Sequence, residues 1–266
     1  MTAANELSLK IQRFDPSQEK SPHFERYAVP AKDGMTVLDA LLYAKDRVDH
    51  SIALRFSCRM SSCGSCGMKI DGRPRLACET QVAHLRSKTV TVQPMDNFPI
   101  VRDLVVDMES FFSKHASLSP RIVRKGDVAE QEAPVGEYLM TPEELDSIVQ
   151  FTYCIKCGLC SSSCPTSSTD SAFPGPQALA QAYRFLQDVR DEAVDERLEE
   201  VDTAHGVWRC HFAGTCSAVC PKGVDPALGI QLLKRHVMAA ARPGKKRKKG
   251  ASVFPNPNKD LARVPD

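Results

Sequence analysis

The eleven cysteines are the residues of this chain with the strongest chemical signal. An odd number cannot all pair as disulfides within one chain. The first residues lack the pattern of a secretory signal, so we expect the chain to stay in a reducing compartment, where thiols remain free. Free thiolates at short, regular spacing bind iron–sulfur clusters or zinc. The spacing of the cysteines therefore has to distinguish an iron–sulfur cluster from a zinc site.

The first four cysteines follow the spacing of plant-type ferredoxins. In CRMSSCGSCGMKIDGRPRLAC, Cys58, Cys63 and Cys66 form a C-x4-C-x2-C pattern, and Cys78 follows. This pattern is typical of a 2Fe–2S cluster. The small residues between the ligands let backbone N–H groups approach the sulfurs and offset their charge. Zinc is the alternative, although zinc sites favour paired C-x2-C knuckles.

Two further runs have the form found in two-cluster bacterial ferredoxins. The first reads CIKCGLCSSSCP, and the second reads CHFAGTCSAVCP. In such proteins the fourth cysteine of a run binds the cluster of the other run. Crossed ligation predicts a 4Fe–4S cluster on four cysteines and leaves three cysteines for the other site. The two sets are Cys154, Cys157, Cys160 and Cys220, and Cys164, Cys210 and Cys216.

Alanine occupies one ligand position of the second run. Ala213 stands where the first run has Cys157, so the second site offers three thiolates, which suit a 3Fe–4S cluster. The three sets together use all eleven cysteines. Buried structural cysteines or zinc ribbons would have to reproduce this arrangement by chance. Three one-electron centres in one chain predict a path for single electrons, with the substrate chemistry on another polypeptide.

The elements around these motifs predict two domains of an α+β protein. Residues 1–106 are expected to form a β-grasp domain of the plant-type 2Fe–2S ferredoxin class. Residues 107–240 are expected to form an α-helical domain of the bacterial ferredoxin class. Strands are predicted at LSLKIQRF, FERYAVP and VTVQP, with a helix from Thr36 to Val48 that Thr36 caps. Further helices are predicted over 101–118, from Thr141, and over 176–189, 194–201 and 225–240.

A basic, extended tail is predicted over residues 241–266. Six cationic side chains lie between Arg242 and Lys249, whereas the rest of the chain is net acidic. Lipid headgroups, an acidic subunit surface or nucleic acid would each suit this charge. No stretch approaches the roughly 18 apolar residues that a membrane-spanning helix needs.

The order of the motifs resembles the iron–sulfur subunits of succinate dehydrogenase and fumarate reductase over residues 7–240. Besides the cysteines, the likeness lies in GPQALAQAYRFLQDVRDEAVDERL and HGVWRCHFAGTCSAVCPKGVDP. The resemblance implies a subunit of respiratory complex II, in the tricarboxylic acid cycle. It also implies a flavoprotein partner that oxidises succinate on FAD. The 2Fe–2S site would receive the electrons first, the 4Fe–4S site would relay them, and the 3Fe–4S site would deliver them to a quinone.

The resemblance further implies that Pro165 and His211 line the quinone pocket, where this chain meets membrane anchor subunits. Many members carry a tryptophan pair after this proline, whereas Ser167 and Ser168 stand near that place here. The apolar wall of the pocket must therefore differ or come from another subunit, and Trp208 is a candidate from this chain. We expect a peripheral location on the cytoplasmic face of the plasma membrane, held by the anchors, and no nucleic acid partner.

Other functions remain open at this stage. Succinate dehydrogenase is the leading hypothesis, and a fumarate reductase would run the same electron path in the opposite direction. A soluble reductase that receives electrons from a dithiol would keep the clusters without a membrane quinone. A zinc-stabilised nucleic-acid-binding protein would use the basic tail. Analysis for zinc, iron and acid-labile sulfide separates this last hypothesis from the others.

Overall fold

The structure is a computed structural model that describes residues 6–85, 87–126, 132–133 and 136–241. A sheet dominates its N-terminal part and helices dominate its C-terminal part. The predicted α+β class is therefore confirmed. The predicted basic tail, beyond its first residue, lies outside the described residues.

A five-stranded mixed sheet forms the N-terminal part, in the order β2-β1-β5-β3-β4. Strand β1 pairs antiparallel with β2 and parallel with the central strand β5, while β3 pairs antiparallel with β4 and β5. Alternate residues of β1, such as Leu7, Leu9 and Ile11, are buried, so the three predicted strands are confirmed. The strands are β1 Glu6–Arg13, β2 His23–Pro30, β3 Gly67–Ile70, β4 Arg73–Leu76 and β5 Thr89–Gln93.

Helix α1, Val37–Arg47, covers this sheet and begins as the sequence predicts. The Asp39 N–H donates to Thr36 Oγ1 at 3.1 Å, and the Thr36 N–H donates to the Asp39 carboxylate at 3.0 Å. Such a cap is worth about 1 kcal/mol. Leu38 and Leu41 on the apolar face of the helix are buried in the core of the sheet. The helix thereby fixes the position at which the next loop begins, and that loop carries the first cysteines.

The helix predicted over 101–118 is wrong in its first part. Residues Ile100–Arg102 and Val105–Val106 form a two-stranded hairpin, β6 and β7, and helix α2 covers only Glu109–Ser117. The reason is Asp103, which turns the chain at φ 46°. Its carboxylate accepts hydrogen bonds from the Phe14 and Ala53 N–H groups at 3.0 and 2.8 Å. Tertiary hydrogen bonds thus override the helical pattern.

The C-terminal part contains both short and long helices. The predictions from Thr141 and over 176–189, 194–201 and 225–240 are confirmed, with ends that differ by at most about two residues. Four short helices were not predicted, and three of them lie within or beside the cysteine runs. The helices are α3 Pro142–Asp146, α4 Val149–Thr152, α5 Leu159–Ser162, α6 Pro165–Thr169, α7 Pro176–Gln187, α8 Val194–Val201, α9 Thr215–Ala218 and α10 Pro226–Ala240.

A buried arginine ties the connection after α2 to the helical part. Arg197 pairs with Asp191 at 2.7 Å and donates to the carbonyl oxygens of Leu118, Ser119 and Arg121 at 3.2, 2.7 and 2.5 Å. Both charged side chains are almost fully buried. Removing one partner of such a pair typically costs about 3–5 kcal/mol, so this cluster holds the connection in place.

The sheet and the helical part share an apolar core. Leu159 of α5 is fully buried among the core residues of the sheet, and Ile155, Cys157 and Val219 pack against the same core. Asn97, beyond β5, donates from Nδ2 to three carbonyl oxygens at the end of α5. Its acceptors are Ser161 at 2.8 Å, Ser162 at 3.2 Å and Cys164 at 3.1 Å. The cysteine loops of the two parts are thereby held side by side.

Candidate metal centres

The first cysteine loop directs backbone N–H groups at its own thiols. The N–H groups of Ser62 and Cys63 each donate to Cys58 Sγ at 3.3 Å. The Ser61 N–H donates to Cys78 Sγ, also at 3.3 Å, so the distant fourth cysteine joins the loop. Hydrogen bonds of this kind offset negative charge on sulfur. The loop is therefore suited to hold several thiolates close together.

Left-handed backbone gives this loop its curl. Three residues between the first ligands share it: Arg59 and Ser61, each at φ 58°, and Gly64 at φ 76°. The fourth cysteine approaches from the other side, because the Ala77 N–H donates to the Cys66 carbonyl oxygen at 3.1 Å and carries Cys78 with it. The four predicted ligands of the first site are thus brought together.

The thiols of this loop have unequal acidities. Hydrogen bonds from Ser65, then from the backbone of Cys58, lower the pKa of Cys63 to about 6. Burial raises the pKa of Cys66 to about 12. Only the thiolate is a good metal ligand, so Cys63 is ready to bind a cation at neutral pH. Cys66 needs the positive charge of a bound metal to lose its proton.

The second predicted set also converges. Cys154, Cys157, Cys160 and Cys220 line one cavity between the two cysteine runs. Burial raises the pKa of Cys157 to about 12, and charge repulsion from Cys220 and Cys154 adds to the shift. Cys160 is buried too, which raises its pKa well above the usual value. The fourth member comes from the other run, as crossed ligation predicts.

The three remaining cysteines meet at a separate cavity. Cys164, Cys210 and Cys216 line it together with Pro165 and His211. Burial raises the pKa of Cys216 to about 11, and repulsion from Cys164 and Cys210 contributes further. Lys234 of α10 donates to the Cys210 carbonyl oxygen at 2.9 Å, which places a positive charge beside this set.

The two runs have the same backbone conformation at matching positions. Lys156 and Phe212, each two residues after the first cysteine of its run, lie at φ 55° and 57°. Gly158 and Gly214 follow at φ 81° and 72°, and each precedes a short helix, α5 or α9. Ala213 therefore occupies the same place in its loop as Cys157 does in the other. The second run keeps the loop shape of the first, with alanine in place of one cysteine.

The residues predicted for a quinone pocket are only partly grouped together. Pro165 and His211 are exposed and line the three-cysteine cavity. Trp208 is not among the residues that line this cavity, and its Nε1 donates to Asp202 at 2.6 Å. Phe212, whose side chain is 59% exposed, lines the cavity instead. Sequence reasoning missed Phe212, although an aromatic residue next to His211 inside a cysteine run was a usable signal.

Among the described residues, no three His, Cys, Asp or Glu side chains are placed to hold a single metal ion. An iron–sulfur cluster makes a different demand, because its thiolates surround a core of several iron and sulfide atoms. Backbone N–H groups point at the thiols of the first loop, and the thiols of the other two sets face shared cavities and are partly or fully buried. The donor set therefore fits iron–sulfur clusters.

Comparisons with known proteins agree with this arrangement. Residues 8–113 match the 2Fe-2S iron-sulfur cluster binding domain family, and residues 150–224 match the 4Fe-4S dicluster domain family. A fumarate reductase iron-sulfur subunit of Mycobacterium tuberculosis is 45% identical over 86% of this chain and 91% of its own length. The succinate dehydrogenase iron-sulfur subunit of Paracoccus denitrificans is 36% identical over 89% of each chain.

This chain belongs to the family of succinate dehydrogenase and fumarate reductase iron–sulfur subunits. A chain of the Mycobacterium smegmatis Sdh1 complex in the apo form has the same fold, with a TM-score of 0.79. It is 26% identical, and the alignment covers 91% of this chain and all of the other. The resemblance inferred from the motifs is confirmed. Membership of this family also implies that the chain is part of a larger complex. Within the described residues, no helix is long and apolar enough to cross a membrane.

Proposed function

We propose that this chain is the electron-transfer subunit of a succinate:quinone oxidoreductase. It relays single electrons from FAD in a flavoprotein partner, which oxidises succinate, to a quinone in the membrane. The grouping of its eleven cysteines into three neighbouring sets carries this proposal. The chain has no substrate-converting residue of its own in this assignment.

Each set of cysteines is assigned one cluster. When bound, the clusters accept and release one electron at a time. The two domains that hold them meet near residue 106, where β7 ends. The assignments are 2Fe–2S for Cys58, Cys63, Cys66 and Cys78, 4Fe–4S for Cys154, Cys157, Cys160 and Cys220, and 3Fe–4S for Cys164, Cys210 and Cys216.

Electrons enter, in this proposal, at the exposed first loop. Met60 lies between two ligands of that loop and is 74% exposed, which is unusual for a large apolar side chain beside a charged site. Phe56 is also exposed, with the Arg59 guanidinium 5.1 Å from its ring centroid. An apolar patch with a cation at its rim suits a protein partner better than solvent. We assign this surface to the flavoprotein.

Electrons leave at the three-cysteine cavity. Pro165, His211 and Phe212 form its exposed rim, so a flat quinone headgroup can approach the three thiols from outside. His211 can donate a hydrogen bond to a quinone carbonyl oxygen, and Phe212 supplies the apolar wall that the serines after Pro165 do not. This exit requires hydrophobic anchor subunits and a peripheral position at the cytoplasmic face of the membrane.

Fumarate reduction is the second candidate, because the fumarate reductase subunits of M. tuberculosis and Escherichia coli are 45% and 40% identical, against 36% for the P. denitrificans succinate dehydrogenase subunit. The same chain of clusters can transfer electrons in both directions. The relative reduction potentials of the dicarboxylate and quinone couples determine the direction. Steady-state rates of succinate oxidation by quinone and of fumarate reduction by quinol, measured on one preparation, decide between the two.

The proposal is tested on the complex purified under anaerobic conditions. We expect copurification with a flavoprotein and with hydrophobic anchor subunits, succinate:quinone activity, and electron paramagnetic resonance (EPR) signals of all three clusters. A complex that lacks anchors and accepts electrons from a dithiol would contradict the quinone assignment. A protein with zinc and no acid-labile sulfide would contradict the whole proposal.

A further inference from the structure

The first cysteine loop touches the second cysteine set at Gly64. A Cβ atom built on Gly64 would lie 2.8 Å from Cys157 Cβ and 2.9 Å from Cys157 Cα. Ordinary contacts of a Cβ atom fall at 3.4–4 Å, so any side chain here would force the two loops apart. Gly64 also has φ 76°, a conformation that suits glycine.

A second glycine reinforces the same contact. A Cβ atom on Gly67 would lie 3.2 Å from the Cys157 carbonyl oxygen and 3.3 Å from Leu159 Cδ2. Gly67 is the first residue of β3 and does not have a positive φ, so its backbone conformation does not require glycine. The shared feature of Gly64 and Gly67 is therefore their closeness to Cys157, across the boundary between the two parts of the chain.

The approach of the two loops is fixed by the surrounding fold. Leu159, two residues after Cys157, is buried in the core of the sheet. Asn97 holds the end of α5 through its hydrogen bonds to Ser161, Ser162 and Cys164. A side chain added at Gly64 could not be accommodated by a free rotation of either loop. It would change the distance between them.

We propose that Gly64 and Gly67 are positioning residues that set the separation between the first two redox centres of the chain. This inference rests on the proposed function, because it takes Cys63 and Cys66 as ligands of one cluster and Cys157 as a ligand of the next. Electron tunnelling weakens steeply with distance, so contact between backbones favours fast transfer. Glycine is the one residue that brings two ligand loops so close.

A graded series of alanine variants of the complex tests the inference. Gly64→Ala is the severe change, Gly67→Ala is the milder one, and Gly72→Ala is the matched control. Gly72 has φ 78°, close to that of Gly64, yet no described atom outside its immediate chain neighbours lies within 4 Å of a Cβ built there. The control therefore reproduces the backbone strain of the first variant without the steric contact.

The readout is magnetic coupling between the two reduced centres, measured by EPR as faster spin relaxation of the 2Fe–2S signal. We expect the coupling to fall in Gly64→Ala, to fall less in Gly67→Ala and to stay at the wild-type value in Gly72→Ala. Freeze-quenched samples should show a severalfold slower electron transfer from the first to the second centre, in the same order. If Gly64→Ala does not assemble, Gly67→Ala and the control still give the comparison.

Two outcomes would overturn the inference. One is wild-type coupling in Gly67→Ala, and in Gly64→Ala where that variant assembles. The other is an equal loss in Gly72→Ala, which would show that backbone strain and not spacing is responsible. Absence of all cluster signals from the wild-type complex would instead refute the proposed function, so the two failures are distinguishable.

Discussion

The cysteine runs that begin at Cys154 and Cys210 have nearly the same backbone, although only the first has a cysteine at its second ligand position. Lys156 and Phe212 share left-handed φ values of 55° and 57°, and a left-handed glycine and one turn of helix follow in each run. The loop shape therefore does not depend on the number of thiolates. One position, Cys157 in the first run and Ala213 in the second, accounts for the difference in the number of thiols between the two sets.

This difference separates the role of the backbone conformation from the role of the cysteine side chain. Non-glycine residues in the left-handed region cost about 1–2 kcal/mol, and both runs accept that cost at the same place. The shared geometry points each loop at its cavity, while in the proposed assignment the number of thiolates determines the type of cluster. Exposure separates the sites further, because Phe212 and His211 are open to a partner and Cys157 packs against the first cysteine loop.

The largest effect is expected from Cys216→Ser, which removes one of the three ligands proposed for the 3Fe–4S cluster. Serine keeps the size of the side chain but is a poor ligand for iron in a cluster. Quinone-dependent succinate oxidation should fall to background, whereas oxidation with an artificial acceptor that takes electrons from the flavin should persist. Loss of both activities in a fully assembled complex would contradict the place of this site at the quinone end.

Ala213→Cys should make the two runs equivalent. Because the loop already has the shape of the Cys157 loop, the added thiolate is expected to convert the 3Fe–4S cluster to 4Fe–4S and to lower its potential. The EPR signal of the oxidised complex should then disappear. Ala213→Ser is the matched control and should retain that signal. An unchanged spectrum in the cysteine variant would show that the two loops do not superpose as the φ values indicate.

Phe212→Ser tests whether the exposed aromatic ring of the second run contributes to quinone binding. An aromatic contact contributes about 0.5–1.5 kcal/mol, so the KM for quinone should rise about two- to tenfold. Phe212→Tyr, which keeps the ring, should stay near the wild-type KM. Activity with the artificial acceptor should be unaffected in both variants. An equal KM for all three proteins would remove Phe212 from the quinone site.

Lys156→Gly and Phe212→Gly give the smallest expected effect. Each replaces a residue at positive φ by glycine and should stabilise the protein by at most about 1 kcal/mol. Thermal unfolding of the purified complex, followed by calorimetry, should show a small and similar rise in midpoint for both. A rise for only one variant would show that the strain at the two positions is not the same.

The grouping of the cysteines could be predicted from the sequence more fully than the elements around them. Cysteine spacing, apolar periodicity and the caps at Thr36 and Thr141 are local signals, and they were enough to predict the family, three of the strands and the long helices. The hairpin before α2 could not be predicted, because Asp103 is held by Phe14, just after β1, and by Ala53, in the loop after α1, and both are remote from it in sequence.

Contacts between segments that are distant in sequence could not be predicted either. The closeness of Gly64 to Cys157 follows from docking two domains, and no pattern within either segment reports it. The wall of the three-cysteine cavity shows the same limit. Trp208 was the aromatic candidate by sequence, but its ring nitrogen is bound to Asp202, and Phe212 lines the cavity.

The central claim is that eleven thiolates, in sets of four, four and three, hold three iron–sulfur clusters. Low-temperature EPR of the anaerobically purified complex, in oxidised and fully reduced states, tests it most directly. We predict a 3Fe–4S signal in the oxidised sample, with signals of 2Fe–2S and 4Fe–4S centres appearing on reduction. An oxidised sample without the 3Fe–4S signal, despite a full content of iron and acid-labile sulfide, would contradict it.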